Sequence, residues 1–175
     1  MAPKVKDINK VISDSIELTQ YQLKAGDIKL IKDYGIRLPA VYIDEDQMKQ
    51  VFVNVTLNSI QAMPRGGDLI FRTFTQRLKS LEEITVRGAE DFFNIGEPVV
   101  IVEIEDTGIG IPEDKLGKIF DPFFTSKRPD KGMGLGLSIT QTIIRNHRGS
   151  IRIEGKQGKG TRVSITLSAA TEKGW

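Results

Sequence analysis

Cysteine is absent from the 175 residues, which excludes disulfides and thiol chemistry. Histidine occurs once, at His147, so no cluster of imidazoles is available to hold a metal. No apolar run approaches the roughly 18 residues that a membrane-spanning helix needs, and the beginning of the chain carries no signal-peptide pattern. The formal charge is only +2, too small to argue for a nucleic-acid partner. Internal repeats and low-complexity tracts are also missing. What is there is a chain that is 39% hydrophobic, of a length that suits one globular domain.

The opening "MAPK" carries no structural weight. Ile8, Ile12, Ile16, Thr19 and Leu23 recur at spacings of three and four and predict an amphipathic helix from Asp7 to about Leu23. "DIKLIKDYG" alternates like a strand, and "LPAVYID" is a short extended piece. The next helix is announced by Asp44 as a cap, with Gln47 placed to close a capping box, and runs to about Met63. "DLIFRTFTQ" and "VVIVEIED" read as strands. Residues 77–98 between them are an excursion without a clear period, and 107–133 are irregular and rich in Gly, Pro, Lys and Asp. "GLGLSITQTIIRNHRG" opens as a helix on glycines and closes at Gly149. "SIRIEG" and "TRVSITLS", joined by "KQGKG", form a closing hairpin. The pattern predicts an α+β domain: a mixed, mostly antiparallel sheet of about five strands with helices on one face.

Three stretches carry candidate chemistry. In "DTGIGIP", Asp106 ends a largely apolar strand. It is either a turn carboxylate or a group that accepts a hydrogen bond from the exocyclic amine of adenine. In the second reading Gly108 and Gly110 let the backbone approach a flat ring. In "QVFVNVTLNSIQAM", Asn54 and Asn58 share a helix face. They are either bonded core amides or polar ligands, with Asn58 offering a hard oxygen to Mg²⁺. In "GMGLGLS", Gly132, Gly134 and Gly136 lead straight into a helix, a backbone that can fold round phosphate oxygens. It is neither a P-loop nor a dinucleotide fingerprint.

Taken in order, "NVTLNSIQAM", "DTGIGIP", "FDPFFTSK" and "GMGLGLS" resemble the N box, first glycine box, F box and second glycine box of a known domain. That domain is the ATP-binding catalytic domain of bacterial two-component sensor histidine kinases. Its superfamily also holds type II topoisomerases, Hsp90 and MutL. The resemblance covers roughly residues 8–168 and implies the Bergerat fold, a two-layer α/β sandwich. It also implies roles. Asp106 would read adenine, with Thr161 nearby through water, and Asn58 would ligate Mg²⁺ with Asn54 beside the phosphates. Gly132, Gly134 and Gly136, with Leu135 and Leu137 between them, would cradle the phosphate chain. Residues 108–133 would be a lid anchored by Phe120, Phe123 and Phe124, and Lys127 would reach the γ-phosphate. Gln61 stands where many members carry a basic residue.

The resemblance further implies ATP and Mg²⁺ as cofactors and, as partner, a separate dimerisation and histidine-phosphotransfer domain. His147, next to a glycine C-cap, reads as structural. The expected organisation is a flexible tail, or the end of a linker from the missing acceptor helix, over 1–7, the catalytic domain over 8–168 and a tail over 169–175. As an isolated unit it is expected to be monomeric and cytoplasmic, without membrane contact and cut from a longer, possible membrane-anchored parent. The alternatives are a superfamily ATPase, a protein serine kinase or a nucleotide-sensing module. The ATPase reading calls for a glutamate one turn before the Mg-binding asparagine, and that position is Asn54.

Overall fold

The computed structural model describes residues 3–80, 92–124 and 134–170. Strand β1 (Lys4–Lys6) pairs antiparallel with β3 (Val41–Ile43). Lys4–Lys6 thus forms part of a ladder within the stretch expected to be a flexible tail or the end of a linker. At the other end, Ala169 and Ala170 donate to the carbonyls of Pro98 (3.2 Å) and Ala40 (2.7 Å).

All five residues of the predicted first stripe are buried, but the stripe spans two helices, α1 (Ile8–Leu18) and α2 (Gln20–Ala25), with Thr19 between them. The break is at Thr19. Its hydroxyl and its N–H both reach the Ile16 carbonyl, at 3.0 Å each. A hydroxyl that bonds back to the preceding turn competes with the helical ladder.

The main sheet contains β2 (Ile28–Tyr34), β4 (Gly67–Arg77), β5 (Pro98–Asp106), β6 (Ser150–Gly155) and β7 (Thr161–Ser168) in the order β2-β4-β5-β7-β6. Only β2 and β4 run parallel; they are joined by a crossover through α3 (Glu45–Ala62), while the other neighbours are antiparallel. Alternation decides the faces. Leu69, Phe71, Val100, Val102, Ile104, Val163 and Ile165 point into one core with α1, α3 and α5 (Gly136–Asn146). On the opposite face Glu105 receives Arg72 at 2.6 Å and Arg162 at 3.0 Å. These guanidiniums, Arg72 foremost, hold its carboxyl below the usual range. Part of the 77–98 excursion covers the far end of that outer face, where Phe93 and Leu78 pack on Val99 and Ile101. No helix among the described residues is long and apolar enough to cross a membrane.

The start of α3 is fastened to α1 and β1 by charge. Lys49 lies 2.7 Å from Glu45 and 3.3 Å from Asp14, and Lys6 lies 2.5 Å from Glu45. Lys49 first, then Lys6, lowers the Glu45 carboxyl from 4.5 to about 2. A carboxylate lowered in the fold stabilises it above the unfolded value and loses that contribution as pH falls through the folded one. The melting temperature should therefore drop as pH falls from 4.5 to about 2, and Glu45→Gln should flatten part of that drop. Solvent exposure keeps the effect modest. Parallel acid profiles for the variant and the wild type would remove the network from the account of stability.

Candidate nucleotide site

Helix α3 opens as expected on Asp44, whose Oδ1 accepts from the N–H groups of Asp46 and Gln47, both at 3.1 Å. The reciprocal half of the capping box is absent. The N–H of Asp44 donates instead to Nε2 of His147 at 2.9 Å, and Nδ1 of that ring meets the Ile143 carbonyl at 2.7 Å. Since Nε2 accepts, Nδ1 carries the proton and donates. His147, only 7% exposed, thus ties the end of α5 to the start of α3. The structural reading of this residue holds.

Further along α3, Asn54 and Asn58 face the beginning of α5. Nδ2 of Asn54 donates to the Gly136 carbonyl at 3.4 Å, and a Cβ on Gly136 would stand 4.0 Å from Nδ2 of Asn58. The two amides and the glycine-led helix start therefore share one wall. Among the described residues, no side chain caps the N-terminus of α5, and the first N–H groups of a helix suit an anionic ligand or water.

Asp106 ends β5 between Leu69 of β4 and Thr161 of β7. It is 4% exposed. Burial raises its pKa, opposed by the Gly108 N–H, the Ser59 hydroxyl and the Thr161 backbone. Oδ1 accepts from Gly108 N–H at 2.9 Å. Thr161 stands directly opposite Asp106 in the ladder, which places the predicted pair side by side. Ser59 escaped the sequence reading: its neighbour Asn58 was the visible signal, and its partner lies 47 positions away on another element.

The glycines after Asp106 answer to the chain itself. A Cβ on Gly108 would meet the Ala62 carbonyl oxygen at 2.5 Å, at the end of α3. Gly110 has φ +68°, and a Cβ there would overlap the Lys156 carbonyl of the β6–β7 turn. These contacts give a backbone reason for both glycines that needs no bound ring.

A cavity of about 490 Å³ opens between these walls. Of the predicted site residues, Asn54, Asn58, Asp106, Gly110, Gly134, Leu135, Gly136, Leu137 and Thr161 line it. Gly108 does not, and Gly132 and Lys127 lie outside the described residues. The short helix α4 (Glu113–Leu116) adds Lys115 to the lining, which the sequence reading also missed. The three F-box phenylalanines separate. Phe120 packs on the core, Phe124 lines the cavity, and Phe123 is 73% exposed. Phe123 has φ +66°, and its N–H donates to the Gly134 carbonyl at 3.1 Å. The expectation of three apolar anchors is corrected at Phe123: the turn held by this bond aims its ring at solvent.

No group of three or more His, Cys, Asp or Glu side chains among the described residues could hold a metal. A divalent cation in the cavity would therefore take few protein ligands. The Asn58 amide oxygen is suitably hard, and the balance would come from phosphate oxygens and water. The donor set fits a magnesium ion carried in with a nucleotide better than a resident one.

Residues 43–171 match the family described as histidine kinase-, DNA gyrase B-, and HSP90-like ATPase. Sporulation kinase E of Bacillus subtilis (strain 168) is 32% identical over 162 residues, which are 93% of this chain and 19% of the relative. The sensor kinase CckA of Brucella abortus (strain 2308) is 38% identical over 173 residues, 99% of this chain and 18% of the relative. The chain thus spans less than a fifth of these relatives (19% and 18%). Among solved structures, a nucleotide-free catalytic domain of the histidine kinase ThkA superposes with a TM-score of 0.74 at 25% identity. It covers 98% of this chain and 100% of that one.

Proposed function

Because this chain belongs to the histidine kinase-, DNA gyrase B-, and HSP90-like ATPase family, we propose that residues 8–168 bind Mg-ATP and deliver the γ-phosphoryl group to a histidine on a separate dimerisation domain. The observation that carries this reading is one cavity lined by Asp106 at the end of β5, by Asn54 and Asn58 of α3, and by the uncapped start of α5. Asp106, fixed by Gly108 and Ser59, accepts from the adenine amine and meets the carbonyl of guanine acceptor to acceptor. Thr161 stands beside it for a bridging water. The N–H groups at the head of α5 receive phosphate oxygens, with Gly134 and Gly136 keeping side chains out of their way. Asn58 supplies an oxygen to Mg²⁺, which when bound neutralises phosphate charge. Lys127 and Gly132 are assigned to the phosphates on the sequence resemblance alone.

One observation argues against hydrolysis, and a second argues against the chain's own histidine as the acceptor. Asn54, one turn before Asn58, has no basic oxygen able to take a proton from water. His147 engages both ring nitrogens and is buried, so it is no acceptor. Phosphoryl transfer is mainly positioning and charge stabilisation, and the protein alone is expected to turn ATP over very slowly. The proposed setting is the cytoplasm, where ATP is at hand, and the proposed state of the domain alone is a monomer.

The test is incubation with radiolabelled ATP and Mg²⁺, with and without a separately made acceptor hairpin from a relative. Acid-labile, base-stable label should appear on the hairpin only. Asn58→Ala should lose it together with the magnesium dependence of ATP binding, while circular dichroism stays native. Label on this chain that His147→Gln removes would overturn the assignment.

A further inference from the structure

Only two charged side chains among the described residues line the cavity, Asp106 and Lys115. Asp106 is accounted for by its partners. Lys115 is not. It stands on α4, is half-buried, and enters none of the ion pairs among the described residues. The two carboxylates of its own helix, Glu113 and Asp114, are exposed and do not line the cavity. Among the described residues, no carboxylate other than Asp106 lines the cavity with it, so an anion that enters can pair with its ammonium.

We propose that Lys115 is a specificity-determining residue of the nucleotide site: its ammonium pairs with the phosphate chain, so that α4 distinguishes nucleotides from nucleosides. The inference rests on the nucleotide reading above. It assigns a separate task to each charged residue, with Asp106 selecting the base and Lys115 selecting the charge.

The competing account is that only the methylene stem of Lys115 meets the ligand, as lysine stems often cover apolar surface. Lys115→Met keeps that stem and removes the charge. Calorimetry should then find ATP and ADP bound about fivefold more weakly, as for a partly screened charge pair. Adenosine affinity should be unchanged, the salt dependence of ATP binding should be smaller, and Lys115→Arg should restore all three. A Lys115→Met protein that binds ATP like the wild type, or that loses adenosine and ATP in equal measure, overturns the proposal. A wild type that binds neither ATP nor adenosine is a different result, and it overturns the nucleotide reading itself.

Discussion

Replacing Asp106 by Asn should leave a folded protein that has lost its hold on ATP. In the wild type Oδ1 receives the Gly108 N–H at 2.9 Å, and the Ser59 hydroxyl also donates to the carboxylate. The asparagine oxygen would remain with Gly108. Its NH₂ would then face the adenine amine, donor against donor, while the Ser59 hydroxyl can turn to accept from it. Leaving buried donors unsatisfied costs about 1–3 kcal/mol each, so affinity should fall about a hundredfold. Stability should move the other way. Burial, the largest influence, raises the Asp106 pKa. A carboxyl raised in the fold favours it when protonated, and that contribution is lost as pH rises through the folded value. The neutral amide escapes the loss, so the ligand-free variant should melt no lower than the wild type at pH 7, and the advantage should vanish in acid. Calorimetry with ATP, ADP and GTP, beside melting curves at both pH values, reads both effects. ATP bound equally by both proteins, or GTP bound as tightly as ATP by the wild type, would remove Asp106 from base recognition.

Gly160→Ala should be more damaging still, and to the fold. Gly160 has φ +80°, and a Cβ there would overlap the carbonyl oxygen of Asp106 itself. The β6–β7 turn is pressed against the first glycine box at this point, where the Gly158 N–H donates to the Ile109 carbonyl at 2.7 Å. An obligatory clash added to a left-handed backbone costs about 3 kcal/mol or more. Gly158→Ala is the control. It has φ +78° with nothing within 4 Å of the added atom, so it carries the backbone penalty alone, about 1 kcal/mol. Urea unfolding should separate the two by about 2 kcal/mol, and ATP binding should fail only in Gly160→Ala. Equal midpoints would mean that the turn moves aside freely.

The parts of the fold that were legible in the sequence are those set by local chemistry. Asp44 marks the start of α3, and alternation marks β4, β5 and β7. Asn54, Asn58, Asp106, Gly110, Gly134 and Gly136, singled out by their order in the chain, line one cavity. What stayed hidden depends on partners distant in the chain. Gln47 looked like half of a capping box because nothing local announces a histidine 103 residues away. Thr19 sits on the apolar stripe, and its hydroxyl breaks the helix without breaking the stripe. Lys4–Lys6 is too short to show a period. Ser59 and Lys115 are ordinary residue types whose meaning comes only from what faces them. The glycines of the first glycine box were visible, but their neighbours are Ala62 and Lys156, which no spacing rule connects to them.

The bond between His147 and Asp44 makes the only imidazole of the chain a spectroscopic tag. One histidine gives one set of imidazole resonances, with no second histidine to be confused with it, and it sits where α5 meets the start of α3. Its lone pair is occupied and its other nitrogen is protonated, so an electrophile such as diethyl pyrocarbonate can react only when that joint parts. The rate of that single modification is therefore a clock for the separation of the two helices that line the cavity.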